Sequence, residues 1–320
     1  MNKRTCPRCY CSNVIKHGKQ TNRQRYRCRD CGKTFTNVKR QQRFNTKVLD
    51  RYIKDDLKVR TLSQDFGLSK NTIRQIIRTT LLPTAITQKP RSVSAIMDTT
   101  YFKRAEGLLV VIDPNAIRGE NKTLYYAFLN HTETNQDYLI ATDTIEAMGY
   151  QIISATIDGR RGVKEMLESK GIPVQHCQFH QLQTINQCLT KNPILLQHKE
   201  LRNIALTLTR SNQETFSEQL DSWYLKYGVW LKERYIDEHG GSRYKHARCR
   251  RAYFSLRRNL PNLFTYQQDK THKTRNTTSP LDGYFGNLKD KLKPHRGITK
   301  TLKTTMICSF LSGATGRDNN

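Results

Sequence analysis

Three acidic side chains stand where their residue type and spacing could hold a catalytic metal. Asp98 ends the apolar segment SVSAIMD, and Asp158 ends a second apolar segment, QIISATID. Asp282 lies in RNTTSPLDGYFGNLKDKLKPHRG, a stretch rich in cations, where a solvated surface acid is the simplest interpretation. Carboxylate oxygens are the ligands that Mg²⁺ and Mn²⁺ prefer. Metal chemistry at these acids therefore requires a fold that brings them together.

Cysteines near the N-terminus form a second candidate metal site. Cys6 and Cys9 make one C-x-x-C pair, and Cys28 and Cys31 make another, with 18 residues between the pairs. This spacing predicts a structural zinc site with four thiolate ligands. Cys11 is a spare thiol that could replace Cys9. A redox role is the alternative, which two such pairs among cations disfavour.

The charge of the chain predicts a polyanionic partner. The 320 residues include 55 Lys and Arg against 27 Asp and Glu, a net charge of +28. Residues 1–91 carry +18, residues 92–238 carry −3 and residues 239–303 carry +13. A nearly neutral body between two basic ends favours a nucleic-acid-binding protein. The apolar fraction of 36% is sufficient for a folded core.

The compartment is predicted from segments that the sequence does not show. The first residues have no apolar core of a signal peptide, and no apolar run is long enough to span a bilayer. Binding to a membrane surface is an alternative that no amphipathic stripe or lipidation signal supports. We expect a cytoplasmic protein whose nine cysteines are reduced or bound to metal.

Residues 44–86 have the pattern of a helix-turn-helix DNA-binding domain. Gly67 marks the turn, and Ser69 can cap the second helix, whose isoleucines share one face. The opposite, polar face could enter the major groove of DNA. A plain helical hairpin is the alternative. The predicted DNA contacts are Lys70, Asn71, Arg74 and Arg78 on the second helix, and Lys39 and Arg40 before the domain.

Residues 92–190 contain apolar strands and helical segments in the order β, β, β, α, β, α, β, α. This order predicts a ribonuclease H-like sheet with helices on both faces. The first and fourth strands are neighbours in such a sheet, so Asp98 and Asp158 could converge at one edge.

A long insertion separates these two acids from the third. Residues 191–270 predict an all-helical insertion, in which Trp223 and Trp230 pack in the core or, alternatively, stack on bases. A helix within residues 271–315 would then return to the sheet with Asp282. Three acids around two divalent ions are typical of phosphoryl transfer. The cations expected to hold DNA phosphates nearby are Arg160, Arg161, Lys289 and Arg296.

The chain resembles the DDE transposases of bacterial insertion sequences, specifically the Mutator-like group with an N-terminal zinc ribbon. The resemblance covers nearly the whole chain, and the motifs that carry it are CPRC, CRDCGKTF, DTTYF, ATIDGRRG, CQFHQ and TTSPLDGYFGNLKDKLKPHRG. It implies a multidomain α+β protein with these parts: a zinc ribbon (1–38), a helix-turn-helix (44–86), a ribonuclease H-like core (92–190 and 271–315) and an all-helical insertion (191–270).

The resemblance also implies roles for individual residues. Asp98, Asp158 and Asp282 match the three catalytic acids, and His180 matches the histidine of a C-x-x-H motif near the metals. A satisfied core histidine is the alternative for His180. The family usually has Glu at the third position, so Asp282 is a departure, and Asp290 is a fallback ligand.

The expected function is that of a DDE-type DNA transposase. It would bind the ends of an insertion sequence, cleave double-stranded DNA and join it to target DNA as a homo-oligomer in the bacterial cytoplasm. The expected cofactors are structural Zn²⁺ and catalytic Mg²⁺ or Mn²⁺. Two alternatives remain, namely a catalytically inactive or domesticated DNA-binding regulator and a structure-specific nuclease without strand joining.

Overall fold

Strands and helices both contribute to the fold, as the change between apolar strand patterns and helical patterns predicts. The strands are β1 (Val14–Gln20), β2 (Arg23–Cys28), β3 (Thr34–Phe35), β4 (Ser92–Lys103), β5 (Glu106–Ile112), β6 (Thr123–Leu129), β7 (Gln151–Ile157), β8 (Val174–His176), β9 (Arg234–Ile236) and β10 (Ser242–Tyr244). The helices are α1 (Val38–Lys54), α2 (Val59–Phe66), α3 (Lys70–Thr79), α4 (Asn135–Ala147), α5 (Arg161–Ser169), α6 (Gln178–Leu189), α7 (Leu196–Leu206), α8 (Gln213–Leu231), α9 (Ala247–Leu263), α10 (Thr265–Gln268), α11 (Ser279–Leu292) and α12 (Lys300–Leu311).

The computed structural model divides the chain into two units. Met1–Ala85 and Leu288–Asn320 form the first unit, and Ile86–Asn287 forms the second. The described residues are 6, 8–9, 11–20, 23–36, 38–55, 57–79, 90–103, 106–117, 121–271, 273–295 and 297–312. Within these ranges the side chains at positions 20, 23, 38–43, 54, 78 and 79 are not described.

The first unit contains a small antiparallel sheet and a group of helices. The sheet has the order β1-β2-β3, and the cysteines flank its strands. Gly67 ends α2 in the left-handed conformation (φ 60°), and Ser69 Oγ accepts a hydrogen bond from the N–H of Thr72 at the start of α3. The predicted turn and cap are therefore present. The apolar residues of these helices are buried together: Val48, Leu49, Tyr52, Ile53, Leu62, Ile73, Ile76 and Ile77.

The C-terminal helix α12 packs with α1 to α3. Met306 is 2% exposed and belongs to the same cluster as Leu49 and Ile73. The sequence placed residues 271–315 with the sheet that carries the acids, whereas Leu288–Asn320 falls in the first unit. The prediction was wrong in this respect because the apolar face of α12 could cover either unit, and only tertiary packing decides between them.

The second unit is built on a five-stranded mixed sheet with the order β6-β5-β4-β7-β8. Strands β4, β5 and β6 are antiparallel, whereas β7 is parallel to β4 and β8 is parallel to β7. In chain order β4 and β7 are the first and fourth strands of this sheet, and they are neighbours, as the sequence predicted. Alternate residues of β4 (Val93, Ala95 and Met97) pack with α4 and α5 in one apolar core. The residues that alternate with them along the strand, including Asp98, have their side chains on the opposite face of β4.

Residues inserted after α6 form a second core of mostly helical structure. Helices α7, α8 and α9 contribute to it, together with the end of α6. Trp223 is buried and stacks on Tyr253, so its predicted core role is confirmed, and the half-buried Trp230 stacks on His246. The all-helical prediction was wrong because β9 and β10 form an antiparallel hairpin. Its turn, DEHGG, contains Gly240 at a positive φ of 73°, which suits glycine.

The insertion ends against the edge of the sheet. The side chain of Gln175 on β8 donates to the carbonyl of Leu263 and accepts from the N–H of Tyr266, both at 2.9 Å. Thr265 Oγ1 donates to the carbonyl of Val174 at 2.7 Å. The exposed edge of β8 is therefore covered, and the chain leaves the insertion at a fixed point beside the sheet. None of the helices in the described ranges has the length and apolarity needed to cross a membrane.

We expect Met306→Ala to destabilise the first unit by about 2–5 kcal/mol, because it removes a buried side chain and leaves a cavity. Hydrogen exchange of the full chain should become faster in α1 to α3 and stay unchanged in β4 to β8. Thr301→Ala, an exposed change on the same helix, is the control. Faster exchange in the sheet with unchanged helices would contradict the placement of α12.

Candidate functional site

The register of two parallel strands brings the first two acids level with each other. Ser94 pairs with Ser154, and Ile96 pairs with Thr156, so the residues of β4 and β7 differ by sixty in number. Continuing this register by two residues places Asp98 beside Asp158, which directly follows β7. Neighbouring strands are about 4.8 Å apart. Asp98 is half-buried and Asp158 is exposed, so one side of the pair is open to solvent.

The electrostatic environment of Asp98 links it to the third acid. Burial raises the pKa of Asp98 to about 7, whereas the N–H of Thr99, which donates to Oδ1 at 2.8 Å, opposes this shift. The negative charges of Asp158 and Asp282 raise the pKa further, and His180 lowers it. These four ionisable groups therefore share one region of the surface.

A short segment after the insertion is attached across the sheet face that carries Asp98. Thr274 Oγ1 is 2.7 Å from Ser154 Oγ, which in turn donates to Ser94 Oγ at 2.9 Å. Thr156 Oγ1 donates to the carbonyl of Arg275 at 2.7 Å. These bonds connect the segment to β4, which contains Asp98, and to β7, which Asp158 follows.

The same segment is also attached to the start of α6. The N–H of Gln178 donates to the carbonyl of Asn276 (2.9 Å), and Asn276 Nδ2 donates to Gln178 Oε1 (3.0 Å). The N–H of Cys177 donates to the carbonyl of Ile157 (2.8 Å), which ties α6 to the end of β7. Because α11 begins directly after this segment, the attachment determines where Asp282 lies.

Thr278 joins the histidine to the third acid. Its hydroxyl lies 3.4 Å from His180 Nδ1 and 3.2 Å from Asp282 Oδ2, and its N–H donates to Cys177 Sγ at 3.3 Å. A hydroxyl has one proton and can also accept. A protonated His180 can therefore donate to the Thr278 oxygen while the hydroxyl donates to Asp282.

His180 carries a positive charge near neutral pH. Its contact with Cys177 raises the pKa of His180 to about 9, burial opposes this shift, and the charges of Cys177, Asp98 and Asp282 add to it. An imidazolium has no lone pair for a metal. This arrangement suits contact with an anion better than metal ligation. His180 is also bonded to Thr278 and Cys177, so the alternative of a satisfied histidine stays open.

Several predicted residues lie apart from these acids or are already paired. Asp290 is exposed and bonds to Lys293 Nζ at 2.5 Å. Arg160 Nη1 is 3.1 Å from Glu133 Oε1, and Arg161 pairs with Glu165 at 2.8 Å. Exposed side chains are found at Lys70, Asn71, Arg74 and Lys289. Arg296 and the side chains of Arg78, Lys39 and Arg40 are outside the described residues.

Sequence reasoning missed the polar residues that position the site. Thr278 lies in the motif TTSPLDGYFGNLKDKLKPHRG, in which the sequence assigns it no role, and Glu133 lies outside the motifs. Glu133 accepts from the hydroxyl of the buried Tyr138 (2.8 Å), which lies 3.4 Å from Thr99 Oγ1. A single Thr or Glu in a loop has no distinctive spacing, so no signal in the sequence could identify these contacts.

The cysteine cluster has the geometry of a thiolate metal site. Cys6, Cys9, Cys28 and Cys31 lie within 4.8 Å of one another, with Sγ–Sγ distances of 3.5 Å for Cys6–Cys31 and 3.6 Å for Cys9–Cys28. A tetrahedral zinc site with 2.3 Å bonds places sulfurs about 3.8 Å apart. Gly32 follows the second pair at a positive φ of 68°. The residues therefore fit a zinc ion.

Backbone groups around the cluster favour thiolates. The N–H of Cys31 donates to Cys28 Sγ at 3.4 Å, and this bond is the main cause that lowers the pKa of Cys28 to about 6. Cys11 Sγ lies 3.2 Å from Cys28 Sγ and 3.4 Å from Cys9 Sγ, so exchange between Cys9 and Cys11 stays open. Asp30 completes a second close group with Cys11 and Cys28.

In the described part of the chain, two groups of three or more side chains are close enough together to hold one ion. Both groups lie in this cysteine region. The three carboxylates do not form such a group. No protein-family model matches this chain, and no curated protein matches it significantly. Function must therefore be inferred from the chain's own residues.

We expect Cys28→Ser to remove the zinc from the purified protein, because Cys28 is a buried member of the four-thiol group and its pKa is lowered to about 6. Metal analysis should give about one zinc per chain for the wild type and none for the variant. Cys11→Ser is the matched control and should keep its zinc. Freshly reduced wild-type protein without zinc would contradict a thiolate site.

We expect Asp98→Asn to stabilise the protein above pH 7. The pKa of Asp98 is about 7 in the folded state and 3.8 ordinarily, so ionisation disfavours folding. This cost is absent below pH 4, grows between pH 4 and 7, and is complete above pH 7. The gain from the variant should follow the same course and reach the order of 1–3 kcal/mol.

Urea unfolding without added divalent metal measures this effect. Both tryptophans lie in the unit that contains Asp98, so their fluorescence reports on that unit. Asp290→Asn, at an exposed acid, should show no such gain. A constant difference between Asp98→Asn and wild type from pH 4 to 8 would show that Asp98 titrates normally.

Proposed function

We propose that this protein is a DDE-type DNA transposase with a ribonuclease H-like catalytic domain. The observation that carries the proposal is the convergence of three acids from distant parts of the chain. The β4–β7 register aligns Asp98 with Asp158, and the attached segment before α11 brings Asp282 into the electrostatic environment of Asp98. The sheet order β6-β5-β4-β7-β8 with its long insertion supports the same domain type.

Asp98, Asp158 and Asp282 would hold Mg²⁺ or Mn²⁺, which would supply an activated attacking oxygen and stabilise the leaving oxygen of a phosphodiester. Ligands that are divided between two ions need not surround one point. The lack of a single three-carboxylate group is therefore compatible with the proposal. Asp98 must lose its proton before it can bind metal, and its pKa of about 7 makes this loss readily available at neutral pH.

The other side chains would bind and orient the DNA backbone. His180 is cationic and lies beside the acids, so it can contact a phosphate oxygen. Thr278 would hold His180 and Asp282 in a fixed relation. Arg160 also borders the site, since its N–H donates to Asp158 Oδ1 at 3.1 Å. Its guanidinium is oriented by Glu133, so this residue would act from a fixed position.

The first unit would recognise the ends of the element. Helix α3 buries Ile73 and its neighbours and exposes Lys70, Asn71 and Arg74, which is the division that a recognition helix needs. A zinc ribbon around the cysteine cluster would add phosphate contacts. The proposed partners are double-stranded element ends and target DNA, bound by a homo-oligomer in the bacterial cytoplasm.

We expect Asp282→Asn to reduce cleavage of a labelled element end by orders of magnitude in Mg²⁺ and in Mn²⁺. The change keeps size and hydrogen bonding but removes the charge that holds metal. Binding to the DNA should be unchanged. Asp290→Asn is the control and should cleave normally, and Asp282→Glu should keep activity because it restores the residue usual in the family that the chain resembles.

Three outcomes separate the alternatives. A wild-type protein that binds element ends but never cleaves them would be an inactive regulator. Cleavage without strand joining would indicate a nuclease. Normal cleavage by Asp282→Asn would contradict the role of Asp282 and return it to the role of a surface acid.

A further inference from the structure

A cationic cavity lies in the insertion, at the end of α6 and along α7. Its volume is about 430 Å³. The residues that line it are Lys191, Asn192, Pro193, Lys199, Arg202 and Asn203. Three of these side chains are cations and two are amides, and none is an acid. Lys191 and Lys199 are exposed, and Arg202 is half-buried.

The charges of this cavity are not balanced by the protein. Among the ion pairs formed by the described residues, none includes Lys191, Lys199 or Arg202. The adjacent acid, Glu200, is occupied by Lys226 at 2.9 Å. These three cations lie in residues 92–238, which carry a net charge of −3. Three cations around one cavity, with no acid among the described residues that line it, create a positive potential that favours the binding of an anion.

A structural role at the end of α6 does not account for all three cations. Cations near a helix C-terminus interact favourably with its free carbonyl groups. Arg248 already has this role, since its Nη2 donates to the carbonyl of Gln187 at 2.7 Å. Arg202 Nε donates to the Asn186 side chain at 3.2 Å, which fixes the guanidinium at the cavity wall.

The turn that presents Lys191 is held in an unusual conformation. Thr190 has a φ of 67°, the one positive φ of a non-glycine residue in the described chain. A β-branched residue in this region is strained. Its N–H still bonds to the carbonyl of Asn186 at 2.9 Å, so the turn is fixed rather than extended. The chain therefore leaves α6 abruptly and places Lys191 beside the cations of α7.

We propose that this cavity binds a backbone phosphate of the same DNA molecule on which the three acids act. This inference rests on the proposed function. Helix α6 links the two places, because it begins beside Cys177 and ends at Thr190. Its 12 residues span about 18 Å at 1.5 Å per residue. DNA advances about 3.4 Å per base pair along one strand. A duplex that runs along α6 would cover this distance in about five base pairs, so the proposal places the bound phosphate about five base pairs from the reacting one.

The first test is the salt dependence of binding to a labelled random-sequence duplex from about 50 to 200 mM salt. The full-length double variant Lys191→Ala, Lys199→Ala should lose about one unit of the slope of log K against log salt, as expected for one phosphate contact. Lys103→Ala, at an exposed cation that pairs with Glu106 and does not line the cavity, is the matched control and should keep the wild-type slope. A wild-type slope for the double variant would overturn the inference.

The second test locates the phosphate. Single methylphosphonate groups, which are uncharged, are placed along an element-end duplex. Neutralising the phosphate about five base pairs from the cleavage position should weaken binding of the wild type and leave binding of the double variant unchanged. Equal weakening of both proteins at every position would show that the cavity binds no phosphate.

These tests separate the cavity from the catalytic proposal. If the wild type binds duplex DNA through these lysines but does not cleave it, the cavity is confirmed and the transposase proposal fails. If the wild type cleaves DNA while the double variant keeps its salt slope and binding profile, the cavity inference fails and the catalytic proposal stands. Hydrogen exchange of α6 and α7 confirms that the double variant is folded.

Discussion

The hydrogen bonds that attach residues 274–278 to the sheet and to α6 are the constraint on which the candidate site depends. Asp98 lies within β4 and Asp158 directly follows β7, and these two strands pair with each other, so the sheet positions both acids directly. Asp282 has no such support, because the whole insertion separates it from Asp158. The bonds of Thr274 and Asn276 bring the chain back, and Thr278 then joins Asp282 to His180. Without these contacts, α11 could begin at many places relative to the sheet.

The site is assembled at a cost to folding. Asp98 is partly buried near two other acids, which is why its pKa is raised, and the imidazolium of His180 only partly compensates. A fold can keep acids this close together when the surrounding scaffold is stable enough to offset their repulsion. The scaffold here is the apolar core between the sheet, α4 and α5, and the polar contacts of Glu133 and Tyr138 stiffen its rim.

Local patterns in the sequence predicted the parts of the structure that depend on local physics. Strand alternation identified β4 and β7 as the strands that carry the first two acids, and Gly67 with Ser69 identified the turn before α3. The predicted strand end at Asp98 was wrong, because antiparallel pairing with β5 continues β4 to Lys103. Contacts between distant segments could not be predicted in this way. The hairpin β9–β10 is three residues per strand, which is too short for a clear alternation, and the place of α12 depends on which core it covers. Thr278 has no local signal, because its contacts with Cys177, His180 and Asp282 form only in the tertiary structure.

We propose above all that three acids from separate segments together hold divalent metal, and metal-directed cleavage of the protein is the most direct test. Fe²⁺ replaces Mg²⁺ in the full chain, and ascorbate with peroxide then generates radicals that cut the backbone close to the bound ion. The account predicts cuts near Asp98, near Asp158 and near Asp282, all suppressed by excess Mg²⁺. Cuts confined to the cysteine region, or near Asp98 and Asp158 without any near Asp282, would contradict it.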